Sequence, residues 1–254
     1  MRSRRAMVDP QEVGITSTRR RRVAGLRREE LARLAKISVP YYTRLEQGKH
    51  TTASHAVLES LATALRLPPA DRAYLHQLAE AGGAAGAPRV PETPVGPETL
   101  RLLDALDRVP GILLGPNMDI LAVNPAARSF CQATTPEPVG LNAIRWQLFD
   151  PRARELFGDD WAAVTAELIG MLRLQAGRAP GHPAITRLVD ELDRSSEFFR
   201  RVWAEHKVSV GIRRELRMRR PDGTATEMTV ETLSVNFARD QTVLLFVPAV
   251  SADG

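Results

Sequence analysis

The stretch LRREELARLAKISVPYYTRLEQGK, residues 26–49, decides how the first third of this 254-residue chain folds. Its apolar residues recur at spacings of three and four, the repeat of a helix with one buried stripe. A first helix is predicted over 28–35, with Leu31, Leu34 and Ala35 inward. Glu29 and Glu30 fall in its first turn, where the helix dipole favours acids. Lys36 and Ile37 make a tight turn. Ser38 can then cap a second helix through its hydroxyl, and Pro40 sits in a first turn where its missing N–H costs no intrahelical bond. The second helix therefore starts at Val39.

On that second helix Tyr42 and Leu45 lie three apart and face the core, which leaves Val39, Pro40, Thr43, Arg44 and Gln47 outside. Such a helix fits the DNA major groove, where Arg bonds guanine, Gln bonds adenine, and Val or the Thr methyl touches a thymine methyl. Arg28 ahead of it, and Lys49 and His50 beyond it, are candidates for phosphate contacts that fix register without reading bases. Ser38, at the start of the helix, completes the candidate DNA-binding set.

The charge distribution points the same way. The chain holds 35 basic and 30 acidic residues, net +5, yet residues 1–80 alone carry 15 against 8, net +7, and the remainder is net −2. A basic head on a slightly acidic body suits a nucleic-acid-binding domain joined to something else, although a solvated charged face would produce the same arithmetic. The run Arg19 to Arg22 has the same two readings, a solvated loop or a loop lying against DNA. With 43% hydrophobic and 26% charged residues, disorder and fibrous folds are excluded. No apolar run approaches the ~20 residues of a membrane helix and the N-terminus lacks a signal-peptide core, so a cytoplasmic location without membrane contact is expected. One cysteine, Cys131, permits neither an internal disulfide nor a Cys-based zinc site, and the five histidines contain no HExxH pairing, so no metal is expected.

Between 81 and 98 the chain is crowded with Gly, Ala and Pro and reads as a linker, dividing a helical domain over 1–80 from a mixed domain over 99–254. In the second domain, 112–114 and 120–123 read as strands flanking GPNMD, and 125–132 as a helix with Asn124 as its N-cap. Residues 142–206 are mostly helical and hold all three tryptophans. Strands return over 213–219, 226–235 and 241–247, the first pair joined at Pro221, Asp222 and Gly223. Met228 and Val230 share one phase while Leu233 and Val235 share the other, which predicts a bulge near Glu231 and Thr232.

Two resemblances follow from these residues. The pattern EELA, a small-residue turn, SxxYxxRLEQG and the closing LESLATALRLPPADRAYLHQLAEAG make residues 26–80 similar to the lambda-repressor-like, XRE-type helix-turn-helix domain. The resemblance implies an all-α DNA-binding domain in which Glu46 is a buried structural acid paired with an Arg of the first helix, Arg5. Lys36 departs from the family, which usually has Gly there, and RSRRAM matches only the second half of its first helix, implying a short first helix or a start upstream.

The body, through DILAVNPAARSF, WQLFDPRARELFGDDW and SSEFFRRVWAEHKV, resembles the ligand-binding domain of MmyB-like regulators, an α+β, PAS-like fold with a small antiparallel sheet. This implies a homodimeric transcription factor on a roughly palindromic double-stranded operator, responsive to a fatty acid or similar small apolar ligand, with no other cofactor.

The residues available to a ligand are the apolar Trp146, Phe149, Phe157, Trp161, Phe198, Phe199 and Trp203, with Asn124, Arg152, Arg154 and His206 to orient a head group. Each aromatic taken alone reads more readily as ordinary core than as ligand wall, and the arginines read also as partners of Glu155, Asp159 or Asp160. Relatives tend to carry an aromatic where this chain has Val123. The body is alternatively a dimerisation or protein-interaction module with no ligand. No motif favours an enzyme, since GxSxG, GxxxxGK[ST] and GxGxxG are all missing.

Overall fold

The turn at Lys36 and Ile37 forms as expected in a computed structural model of the chain, which describes residues 1–15, 25–48, 53–83, 94–131, 137–219, 223–235, 238 and 240–248. Helix α2 (Arg28–Leu34) ends there and α3 (Val39–Glu46) begins. The Ser38 hydroxyl oxygen accepts from the Tyr41 amide at 3.2 Å, which is the cap that its sequence position predicts. Lys36 itself has φ +55°, a left-handed conformation in which a Cβ crowds the backbone.

These helices belong to the first of two units, Met1–Pro88 with Trp203–Val208. The unit also contains α1 (Arg2–Met7), a short 3-10 turn (Gln11–Val13), α4 (His55–Ala64) and α5 (Pro69–Gly83). Leu26, Leu31, Ala32, Tyr42 and Leu61 are wholly buried at its centre. Gly25 lets α1 approach the start of α2, because a Cβ at this position would lie 2.4 Å from the Ala6 carbonyl oxygen. Helix α5 continues to Gly83, beyond residue 81 where the composition first reads as linker.

The second unit, Arg89–Val202 with Ser209–Gly254, is built on five antiparallel strands. After α6 (Pro97–Ala105) come β1 (Gly111–Leu114), β2 (Ile120–Val123) and α7 (Pro125–Cys131). Helices α8 (Ala143–Phe149), α9 (Pro151–Phe157), α10 (Trp161–Arg178), α11 (Pro183–Ser195) and α12 (Glu197–Ala204) follow. Strands β3 (Arg214–Arg219), β4 (Ala225–Ser234) and β5 (Thr242–Pro248) complete a sheet of order β2-β1-β5-β4-β3. Leu216 pairs with Met228 and Val230 with Phe246, so alternate apolar residues form one buried face while Glu215, Arg217 and Arg219 point outward.

The bulge expected near Glu231 and Thr232 does not form. Strand β4 keeps one register against β5 from Met228 through Ser234, and the irregularity lies instead between Leu113 and Leu114. Leu233 is simply outward, 50% exposed. Thr232 continues the phase of Val230 and bonds the chain beyond the β3 ladder: its hydroxyl accepts from the Ile212 amide at 2.7 Å and donates to the Ile212 carbonyl at 2.9 Å. Gly211 permits this approach, since a Cβ there would meet the Thr232 Cβ at 2.4 Å. The turn residues Pro221 and Asp222 lie outside the described residues. No helix among the described residues is long and apolar enough to cross a membrane.

Candidate DNA interface and ligand cavity

Burying Tyr42 and Leu45 turns the opposite face of α3 outward. Val39, Pro40, Arg44 and Gln47 are exposed there, and the side chains of Arg44 and Gln47 make no hydrogen bond or ion pair among the described residues. Thr43 is half-buried and its hydroxyl donates to the Val39 carbonyl at 2.8 Å. Ser38 spends its oxygen lone pair on the helix cap and keeps its hydroxyl proton to donate. Lys49, His50 and the run Arg19 to Arg22 lie outside the described residues.

Glu46 anchors this helix from beneath. Its side chain is 2% exposed, Oε1 accepts from Arg5 Nε at 3.1 Å and the Tyr42 hydroxyl at 3.0 Å, and Arg5 Nη2 lies 3.0 Å from Oε1 in an ion pair. Arg28 Nε donates to Oε2. Burial pushes the Glu46 carboxyl upward, but hydrogen bonds from Arg28, Tyr42 and Arg5 outweigh it and hold the group below its ordinary value. Burial and the adjacent carboxylate push the Tyr42 hydroxyl well above its ordinary value, so it stays a donor. Arg28 thus has a structural partner that its sequence position did not suggest, while 47% of its side chain remains exposed. Arg2, Arg5, Arg27 and Arg28 line an open groove that reaches Val39.

The second unit contains an apolar cavity of about 90 Å³, well above the ~10–15 Å³ that one water requires. Its floor is the buried face of the sheet, including Leu216, Val230 and Phe246, and its roof comes from α7 through α10, including Ala127, Leu156 and Leu168. Among the described residues, none that lines it is charged. Two described residues in the wall carry polar groups: Gln147, and Trp146, whose Nε1–H is buried without a hydrogen-bond partner among the described residues.

Of the aromatic residues singled out from the sequence, only Trp146 and Phe157 reach this cavity. Trp161 is buried but turns its Nε1–H to the Gln147 carbonyl at 2.8 Å and packs against Phe198. Phe199 is fully buried in the core, whereas Phe149 is 49% exposed. Trp203 and His206 belong to the segment grouped with the first unit and are absent from the wall.

The polar candidates are likewise committed elsewhere. Asn124 is fully buried, with Oδ1 accepting from Gly111 and Ala127 amides and Nδ2 donating to the Leu106 and Val109 carbonyls. This side chain caps α7 and ties three segments together, with no bonding capacity left for a head group. Arg152 pairs with Asp150, not with the acids expected from sequence, and Arg154 stacks 3.6 Å from the centre of the Trp161 ring. Val123 is buried outside the cavity wall.

What residue type alone missed is the wall itself, which is mainly aliphatic. The signal was present in the strand phase: Leu216 and Met218, Val230, and Leu244 and Phe246 are the inward residues of β3, β4 and β5, and all border the cavity.

Comparison with protein families agrees with this division. Residues 95–253 match the family described as MmyB-like transcription regulator ligand binding domain, and residues 13–75 match a helix-turn-helix domain. No curated protein matches the chain.

Proposed function

The chain belongs to the MmyB-like transcription regulator ligand binding domain family, and on that premise we propose that a fatty-acid-like or other small apolar molecule controls its binding to a specific DNA site. A helix-turn-helix DNA-binding domain and a ligand-binding domain in one chain make a ligand-sensing transcription regulator. The observation that supports an apolar ligand is the cavity whose wall, among the described residues, holds no charge. Such a wall favours a hydrocarbon body, and an unpaired carboxylate inside it would be strongly disfavoured. The Trp146 Nε1–H is a donor suited to a carbonyl or protonated acid on the ligand.

On the DNA side, Arg44 and Gln47 read base edges, and Val39, Pro40 and Thr43 supply apolar contacts. Ser38 and Arg28, with Lys49 and His50 beyond the helix, contact phosphate. The chain acts as a homodimer on a roughly palindromic site whose half-sites lie about one helical turn apart.

Selection of bound sequences from a random pool of double-stranded DNA, followed by native mass spectrometry of protein purified from cells, tests this reading. Recovery of a two-fold site and of a lipid-sized adduct supports it. A body that is always empty favours a protein-interaction module instead, and absence of any preferred DNA sequence overturns the reader assignment.

A further inference from the structure

Helices α4 and α5 bring together three side chains that neither the DNA-reading face nor the apolar cavity uses. His55 opens α4 immediately after Ser54, whose hydroxyl oxygen accepts from the Val57 amide at 3.3 Å. Glu59 follows one turn later on the same face. From α5, His76 sets Nε2 2.6 Å from Glu59 Oε1, and Arg72, one turn before it, donates to Glu59 Oε2 at 2.7 Å. The rings of His55 and His76 lie 4.4 Å apart between centres. One ligand atom from each of His55, Glu59 and His76 falls within 4.8 Å of the other two.

We propose that His55, Glu59 and His76 form a binding site for a divalent first-row transition ion such as Zn²⁺, which clamps α4 to α5 in the DNA-binding unit. Two imidazoles and one carboxylate are a donor set suited to Zn²⁺, leaving a fourth position for water. Zinc bonds to nitrogen and oxygen are about 2.0–2.2 Å, so tetrahedral ligand atoms stand roughly 3.3 Å apart. Closing from 4.8 Å requires a shift of about 1.5 Å at most, within reach of side-chain rotation at the exposed His55.

The ion takes the place of the hydrogen shared by His76 Nε2 and Glu59 Oε1. A neutral imidazole can carry its single proton on Nδ1 instead, which frees Nε2 for the metal. Arg72 remains on the second carboxylate oxygen and holds Oε1 toward the histidines, the orienting role that outer partners of metal ligands play.

Titration of the metal-stripped full chain with ZnCl₂, followed by calorimetry, and with CoCl₂, followed by visible absorption, tests the site. The expected result is one equivalent bound, with cobalt ligand-field bands. His55→Ala, His76→Ala and Glu59→Gln each weaken binding by at least about tenfold. His182→Ala, outside the cluster, binds as the parent does. The exposed position of His55 keeps its variant informative should His76→Ala fail to fold. Failure of the parent chain to bind Zn²⁺, or unchanged affinity in His55→Ala, overturns the proposal.

Discussion

Replacing Glu46 by Gln isolates the charge that holds α3 in place. The substitution preserves shape and leaves one carbonyl oxygen for Tyr42, but the new amide nitrogen meets either Arg5 or Arg28 donor to donor. Arg5, 11% exposed, loses its counter-charge whichever way the amide turns, while its bond to the Leu26 carbonyl at 2.6 Å remains. Breaking a buried pair by neutralising one partner costs about 3–5 kcal/mol, and the half-exposed Arg28 recovers part of that from water. The expected loss is therefore about 3 kcal/mol, near the lower end.

Amide hydrogen exchange localises that loss to the unit concerned. Protection across α2 and α3 should fall by roughly two decades in Glu46→Gln, while the sheet of the second unit is unchanged. The pH dependence carries the opposite control. Because the folded state holds Glu46 below its ordinary value, its contribution is fully present above the unfolded carboxylate value and disappears as pH falls through the folded value. The parent should lose protection on acidification and the Gln variant should lose less. Equal protection in the two proteins at neutral pH would refute the argument that this carboxylate anchors α3.

Lys36→Gly should stabilise the first unit by about 1 kcal/mol in thermal unfolding, because glycine occupies φ +55° without the Cβ penalty. Arg44→Ala should cost about 1–3 kcal/mol of discrimination between selected and scrambled DNA in gel-shift titrations. Arg28→Ala should weaken all DNA similarly and flatten the salt dependence by about one unit of slope, and it should also lower the stability of α3 because the Glu46 bond is lost. Ala127→Phe places a ring in the cavity, so the lipid-sized adduct should disappear from native mass spectra, with an overpacking cost of about 1–3 kcal/mol in denaturant unfolding.

The reading helix was legible because its determinants are local. Ser38 and Pro40 mark its start, and the spacing of Tyr42 and Leu45 sets its buried face. The cap at Asn124 was legible for the same reason, but its bonds to Leu106, Val109 and Gly111 depend on segments that only the tertiary fold brings near. The cavity wall is mainly aliphatic, so aromatic size is a poor marker of it. Phe199 is spent on packing, Trp161 and Arg154 on each other, and Phe149 on the surface, so the sheet phase was the better guide. The bulge expected in β4 failed similarly: an apolar Leu233 implies an inward position only when its ladder also changes register. The approach of His55, Glu59 and His76 depends on how α4 and α5 pack, which no metal-ligand spacing in the sequence records.

Coupling between cavity and DNA is tested most directly by the affinity of the full chain for its selected DNA site, measured with the co-purified apolar ligand retained and again after its extraction. The account predicts a difference of about fivefold or more, and its loss in Ala127→Phe. Equal affinity of the loaded and extracted protein would contradict ligand control of DNA binding.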